Sequence, residues 1–508
     1  MMIARAVAGA AAMLLSGAAS AADRPNILLF LVDDMGWQDT SVPFHSERTP
    51  LNDRFHTPNM ERLAAMGMKF TNAYACSISS PSRCSLMTGM NAARHRVTNW
   101  TFRYNATTDE PDSTVILPDW NYNGIQPGPG VPNSAVGTSF VELLRMHGYR
   151  TIHCGKAHFG SLGTPAADPL NYGFDINICG HAAGGLASYL GEQRYGHDAN
   201  GIAVSGFAVP GLEQYWGSDV FATEALTREA IKALQANSSS GQPFFLYMSH
   251  YAVHVPMQPD SRFVQRYLDA GLSATEAAYA SMVEGMDKSL GDLMDYLGST
   301  NQLSNTIIIF MSDNGGLAAL GRTPPLNQQN APLRSGKGSV YEGGVREPMI
   351  LYWPGVTPQG SVNHQPLIIE DFYPTILEMA HVDDYDVPQQ IDGRSFVPLV
   401  TNPSAQATDR PLYWNTPNTW ISGDHRDAGI GQTAAIRKGS YKLVYWYKDG
   451  KKELYNLADD IGETTDLSRQ LPEIVAELSR DLGSYLRQTH AQRPALAATG
   501  LPCPWPDE

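Results

Sequence analysis

Two pairs of oxygen-bearing side chains mark the chain: Asp33-Asp34, and Asp313-Asn314 followed by Gly315-Gly316. Four such donors suit a hard divalent cation, calcium before magnesium, because magnesium keeps its waters and is seldom held by an all-protein cage. No Cys/His cluster has zinc spacing. An Asp after a strand is also an ordinary helix cap, so the pairs need support from the rest of the chain. One source is Ser79-Ser80-Pro81-Ser82-Arg83, followed by Leu86-Met87-Thr88-Gly89. Pro81 fixes its own φ and biases Ser80 away from the α region. Ser80 or Ser82 can cap a helix through residues 84–87. A side chain just before that helix faces its positive end, which suits an oxyanion, and Arg83 adds fixed positive charge one turn in. Another is Gly155-Lys156-Ala157-His158-Phe159-Gly160, where a Lys and a His two apart in an extended segment point into one pocket. His250 and His254 follow an apolar run at 245–248, and Lys337 sits in Gly336-Lys337-Gly338. That last element lacks the Gly-x-x-x-x-Gly-Lys-Ser/Thr of a phosphate loop.

Strands must carry these groups. Residues 26–32 (Asn-Ile-Leu-Leu-Phe-Leu-Val) form a continuous apolar run that ends at Asp33, as a strand buried on both faces does. Thr57-Pro58-Asn59 opens an amphipathic helix over 60–66. Residues 68–75 read as the strand that delivers the chain to Ser79. Further strands are expected at 149–154, 244–248, 306–311 and 349–352, with a helix at 277–297. Strands alternating with helices predict an α/β sandwich around a large, mostly parallel sheet, with ligands at the carboxyl ends of the strands. Every motif above follows an expected strand or opens the next helix. Residues 110–135, rich in Pro, Gly and Asn, and 180–206 read as long surface loops of the kind that shape a pocket. From about Pro411 the pattern changes to short antiparallel strands at 433–437, 442–447 and 453–456 and a helix at 472–489. The expected division is a leader at 1–21, a catalytic domain at 22–410 and a smaller α+β subdomain at 411–508.

Taken in order, these blocks resemble the type I sulfatase family of the alkaline phosphatase superfamily. The Ser79-x-Pro81-Ser82-Arg83 block resembles its signature in serine form. The resemblance implies that Ser79 is oxidised to formylglycine, whose hydrate is the nucleophile. It implies that Asp33, Asp34, Asp313 and Asn314, with the oxygen at position 79, bind a calcium ion. It gives Arg83, Lys156 and Lys337 the neutralisation of sulfate and nucleophile, and His158 the role of base in breakdown of the sulfated hydrate. His254 matches the family's His-x-Pro histidine and protonates the departing alcohol with Lys337. His250 stands where many relatives carry another polar residue; it reads as a substrate contact or as a core histidine. Glu342 and Arg346, in Tyr341-Glu342-Gly343-Gly344-Val345-Arg346, read as a structural pair. Arg437-Lys438-Gly439-x-Tyr441-Lys442-Leu443 and Glu453-Leu454-Tyr455-Asn456-Leu457 also resemble the family, so the likeness spans nearly the whole mature chain. Met90 departs from it, where many relatives have Arg.

The whole chain fits such an enzyme. Its 508 residues are enough for more than one domain. The formal charge of -15 argues against a nucleic-acid partner, though a local cluster of Arg, Lys and His still draws an anionic substrate. One Arg, an apolar run over 6–15 and Ala19-Ser20-Ala21 look like a secretory leader, which places the enzyme in a periplasm or outside the cell. No later run reaches the ~20 apolar residues of a membrane span. Five cysteines are too few for a disulfide scaffold, and Cys76-Cys84 or Cys154-Cys179 are conceivable bridges. The 245–256 and 155–160 segments look like those of bacterial carbohydrate sulfatases, often active on galactose-type sugars. Trp120, Tyr122, Trp216 and Trp420 are candidates to stack on sugar faces. The expected partners are a sulfated glycan and a serine-oxidising maturase. The alternatives are a phosphodiesterase or phosphonate hydrolase of the same superfamily, or a silent sugar-binding relative.

Overall fold

A computed structural model describes residues 24–402, 404–407 and 410–508; the expected leader lies outside these residues. The chain order of the main sheet is β1 (Asn26–Val32), β2 (Met68–Tyr74), β3 (Arg150–Gly155), β4 (Ile176–Ile178), β5 (Phe244–Ser249), β6 (Thr306–Ser312), β7 (Arg346–Tyr352), β8 (Ser361–Asn363) and β9 (Leu367–Ile368). In space the order is β8-β2-β7-β6-β1-β5-β3-β4, with β9 beside β2. Every neighbouring pair is parallel except the two made by β7. The large, mostly parallel sheet is therefore as expected.

Both faces of the sheet are covered. Ile27, Leu29 and Leu31 of β1 meet Tyr247, Ile309 and Met311 in one core. Leu28, Phe30 and Val32 meet Leu246, Met248 and Phe310 in the other. Such double burial is why these strands read as unbroken apolar runs. Each buried side chain of this kind contributes about 1.5–3 kcal/mol, so the sheet is a stiff base for what stands at its edge. The second core is closed by α1 (Pro58–Met66), α3 (Ala222–Asn237) and α4 (Ala274–Ser299), and the first by α2 (Ser79–Thr88) and α5 (Phe372–Met379).

Register does the positioning. β1 pairs with β6 from Asn26↔Thr306 to Val32↔Ser312, so Asp33 and Asp313 leave the sheet side by side. β3 pairs with β5 through Gly155↔Ser249, which brings Lys156 to the same edge. β7 runs the other way, so the segment that enters it, carrying Lys337, also lies at that edge.

The C-terminal part forms a second, antiparallel sheet of β10 (Leu412–Thr416), β11 (Thr433–Lys438), β12 (Tyr441–Trp446) and β13 (Lys452–Asn456). α6 (Pro472–Gln488) covers its outer face, where Leu478, Leu482 and Leu486, four apart, meet Ile436, Leu443 and Leu454. On the inner face Trp414, Ala435 and Val444 join the main core.

Several expectations change. α2 begins at Ser79 itself, with Ile78 as N-cap, so Ser80 is helical and neither Ser80 nor Ser82 is the cap. Pro81 falls in the first turn, where its missing N–H costs nothing. The Ser82 hydroxyl instead turns back to accept from the Cys76 N–H at 3.0 Å. Residues 110–135 are not a plain surface loop: Trp120, Asn123, Ile125 and Gln126 are buried. All five cysteines are buried free thiols, so neither conceivable bridge is formed. Among the described residues, no helix is long and apolar enough to cross a membrane.

Candidate active site

The strand ends converge on Ser79. Its Oγ lies 3.2 Å from Asp33 Oδ1, 3.2 Å from Asn314 Oδ1 and 2.8 Å from Lys156 Nζ. Lys156 Nζ also donates to Asp33 Oδ2 at 2.7 Å. Across the site, Lys337 Nζ lies 2.7 Å from Asp34 Oδ1, and Asn314 Nδ2 donates to the same oxygen at 2.8 Å. Asp33, Asp34 and Asp313 each offer an oxygen within 4.8 Å of the others, and all three are fully buried.

Three carboxylates this close repel one another unless a cation lies between them. Burial, with Asp313 and Asp34 alongside, raises Asp33 to about 8 against the pull of Lys156. Burial works on Asp34 and Asp313 as well. There Lys337 with His254, and Arg83 with Lys156, hold the carboxyls below the usual range. Burial lowers Lys156 to about 8 in spite of Asp33. The donor set is all oxygen, converging and buried, and it fits a calcium-like ion. Asp33, Asp34, Asp313, Asn314 and the side chain at position 79 are the residues that would hold it.

The two histidines are set up differently. His158 Nε2 faces the Thr101 carbonyl at 2.8 Å and Ser80 Oγ at 2.9 Å. A carbonyl only accepts, so the ring is assigned its proton on Nε2. Nδ1, which has no partner among the described residues, keeps its lone pair. Burial and the nearby Lys156 hold the ring neutral, well below the usual histidine range. His254 Nδ1–H donates to the Val255 carbonyl at 2.9 Å, leaving Nε2 free, 3.7 Å from Asp34 Oδ2. The ring keeps 20% of its surface exposed. Burial of its inner edge and the charge of Lys337 push it down to about 3. Burial also works against the charge on Lys337, but Asp34 and Asp33 outweigh it and raise its pKa. Both acids thus favour the charged form of Lys337.

Ser79, His158, His254 and Lys337 share one cavity of about 470 Å³. Its walls are largely apolar, with Trp100, Phe207, Leu186, Leu317 and Trp420 among them. Two expected site residues lie elsewhere. Arg83 is fully buried behind the carboxylates. Its Nε and Nη2 hold Asp313 Oδ2 at 2.9 and 2.8 Å, and Nη1 donates to Ser249 Oγ at 2.5 Å. It positions a carboxylate and does not face the cavity. His250 is not a substrate contact: it is fully buried, and its Nε2 lies 2.9 Å from Ser289 Oγ on α4. The alternation of β5 explains this: Leu246 and Met248 face the second core, and the His250 ring lies 5.0 Å from that of Phe30 in the same core. Of the four aromatic candidates, Trp420 lines the cavity. Trp120 and Tyr122 pack in the first core, and Trp216 packs on His197. Trp100 and Thr101 carried no motif; their nearness to residues 79–83 in the chain was the available signal.

Comparison with known proteins agrees with this geometry. The sulfatase family matches residues 25–382, and the family described as N-sulphoglucosamine sulphohydrolase, C-terminal, matches 336–492. A sulfatase of Formosa agariphila is 29% identical over 95% of this chain and 92% of its own. The N-acetylgalactosamine-6-sulfatase of Mus musculus is 30% identical over 92% of this chain and 82% of its own. The crystal structure of Ps i-CgsB superimposes with a TM-score of 0.73 at 28% identity, covering 91% of this chain and 93% of that one. Fold and site define a hydrolase of the alkaline phosphatase superfamily that acts on sulfuric esters. Within that class, the chain belongs to the sulfatase family.

Proposed function

We propose that this protein removes sulfate from galactose-type sugars of sulfated glycans, using formylglycine made from Ser79 and a bound calcium ion. The observation that carries the reading is the position of Ser79 Oγ, touched by Lys156 and facing Asp33 and Asn314, in the cavity that also holds His158, His254 and Lys337. Relatives support the sugar: N-acetylgalactosamine-6-sulfatases match most of the chain, and Ps i-CgsB has been solved with a neocarrahexaose. The aromatic walls suit a sugar face. Export, through the leader expected at 1–21, and the division near residue 410 belong to the same reading.

When present, calcium supplies charge stabilisation and formylglycine supplies the geminal-diol nucleophile that serine lacks. The chain's residues do the rest. Lys156 holds the oxygen at position 79, and Lys337 meets the negative charge that develops on sulfate. Arg83 keeps Asp313 in place. The leaving alcohol is poor and needs a proton. Lys337 brings one, and His254 Nε2 orients it or relays it. His158 Nδ1, with its lone pair free, is the base that resets the site after sulfate transfer.

Peptide mass at Ser79 in the native host should lie about two hydrogens below serine, and the purified enzyme should release sulfate from galactan oligosaccharides. An unmodified Ser79 in fully active enzyme would sink the formylglycine reading. Phosphodiester cleavage without sulfate release from any saccharide would favour a phosphodiesterase.

A further inference from the structure

A second cavity adjoins the first. It measures about 580 Å³ and lies between residues 111–114 and the C-terminal sheet. The two share Trp420 and Ile421 as a wall. Trp420 is seated against Gly338, where an added Cβ would come within 2.1 Å of the ring, and Lys337 Nζ lies 5.9 Å from the Trp420 ring centroid. A molecule reacting at Ser79 and extending past Trp420 enters this second space.

Its chemistry is unlike that of the first. Asp112, Asp424 and Asp449 line it with Arg426 and Lys448, so carboxylates outnumber fixed cations. Arg426 is already engaged: it donates to Asp449 Oδ2 at 2.6 Å and stacks 4.7 Å from the Trp446 ring. His425 Nε2 is directed to the Ser422 carbonyl at 3.0 Å. Trp446, 3% exposed, lines the cavity, and its indole N–H has no partner among the described residues. Carboxylates that accept, beside aromatic surface, recognise hydroxyl groups. A sulfate, which offers acceptors and negative charge, meets repulsion here.

We infer that this second cavity is a saccharide subsite holding an unsulfated neighbour of the reacting sugar, so that the enzyme acts on glycan chains in preference to free sugar sulfates. Its volume falls within the ~300–1,000 Å³ of ligand pockets. The inference rests on the sulfatase reading above and adds the part of the substrate that does not react.

The test uses the mature, metal-loaded enzyme with three substrates: an aryl sulfate, a galactose sulfate, and a tetrasaccharide whose residues beside the sulfated sugar are unsulfated. The tetrasaccharide should exceed the monosaccharide by about tenfold or more in kcat/KM, about 1.4 kcal/mol of binding. Ser113→Trp, which fills the cavity from an exposed loop, and Asp424→Ala should each lower the ratio of tetrasaccharide to aryl-sulfate kcat/KM, mainly through KM. In a Ser79→Ala background, calorimetry should show the tetrasaccharide binding more tightly than the monosaccharide, and added Ser113→Trp should erase the difference. Equal kcat/KM and equal affinity for the two saccharides would overturn the subsite, as would tighter binding of a tetrasaccharide sulfated on the neighbour. Loss of sulfate release from every substrate would strike the proposed function instead, and the calorimetry would still decide the subsite.

Discussion

Two buried clusters in this molecule hold the same inventory of charges and use it in opposite ways. The active site sets Asp33, Asp34 and Asp313 against Arg83, Lys156 and Lys337. The seam between the two sheets sets Glu342, Glu453 and Glu463 against Arg346, Arg437 and Lys442, all buried. In the seam each acid is answered, and Lys442 stands between Glu342 and Glu463. Glu342 Oε1 takes Lys442 Nζ at 2.9 Å, while its Oε2 takes Arg346 Nη1 at 3.1 Å and the Tyr74 hydroxyl at 2.7 Å. Glu453 Oε2 accepts from the Tyr341 and Tyr455 hydroxyls. In the site the three acids face each other, and Lys337 and Ser79 line one cavity. Paired charges in a closed seam fix how two sheets dock. The same charges crowded acid against acid at a cavity mark a place built to receive a cation and an anion. Inventory alone does not separate structure from function here; arrangement does.

The comparison breaks first at Ser79. Ser79→Ala should abolish sulfate release, a loss of at least about 10⁴-fold, because no other group there supplies the nucleophile. It removes one small hydroxyl, so melting temperature should stay within a few degrees and calcium should still raise it. A folded Ser79→Ala enzyme that retained substantial turnover would refute the site assignment. The seam should answer in the other currency. Lys442→Met leaves Glu342 and Glu463 facing each other without their shared cation, which costs about 3–5 kcal/mol for a broken buried pair. Denaturant unfolding should show that loss, while kcat per folded molecule stays near wild type. A large fall in kcat without a fall in stability would mean the seam takes part in catalysis.

Much of this was legible in the sequence, for a physical reason. Strands buried on both faces carry an unmistakable apolar run, and a parallel sheet gathers whatever follows those runs at one edge, so Asp33, Ser79, Lys156 and Asp313 could be brought together from order alone. What escaped was set by tertiary contact. β10 is short and follows Pro411, and its Trp414 faces the main core in a way no local pattern shows. Residues 110–135 look like a polar loop but tuck Trp120 and Ile125 inside. His250 lies one residue beyond β5 in an alternation that sends it away from the site. Trp100 and Thr101 sit in no motif, yet one walls the cavity and the other orients His158.

Within the site, the two histidines offer a finer division. An alkoxide leaving group needs a proton far more than a phenoxide does, and general acid catalysis is worth about 10²–10⁴-fold. His254→Ala should therefore lower kcat on a sugar sulfate by about 10²-fold and much less on an aryl sulfate. Equal losses on both would remove His254 from the acid step and leave Lys337 alone in it.

The smallest effect concerns the seam and pH. Burial raises Glu463 to about 7, with Glu342 adding to the rise and Lys442 opposing it. Burial also works on Glu342, but Lys442, Arg346 and Arg437 hold it near 2. The signs differ. Glu342, depressed on folding, adds stability that is present above its unfolded value of 4.5 and is lost as pH falls toward 2. Glu463, raised on folding, binds a proton in the folded state that the unfolded chain has released. Between about 4.5 and 7 the folded protein therefore loses stability as pH rises. Glu463→Gln mimics the protonated acid and keeps an oxygen for the Glu342 N–H, which Glu463 Oε2 now accepts at 2.6 Å. Calcium-loaded wild type and variant should be unfolded side by side at pH 5 and pH 7.5. The variant should lose less stability between the two, by an amount on the order of 1–3 kcal/mol. Other buried acids with raised values, such as Glu370 and Asp287, are common to both proteins and cancel in the difference. Identical declines would mean that Glu463 is ionised throughout, and the seam would then hold its third carboxylate as firmly as its first.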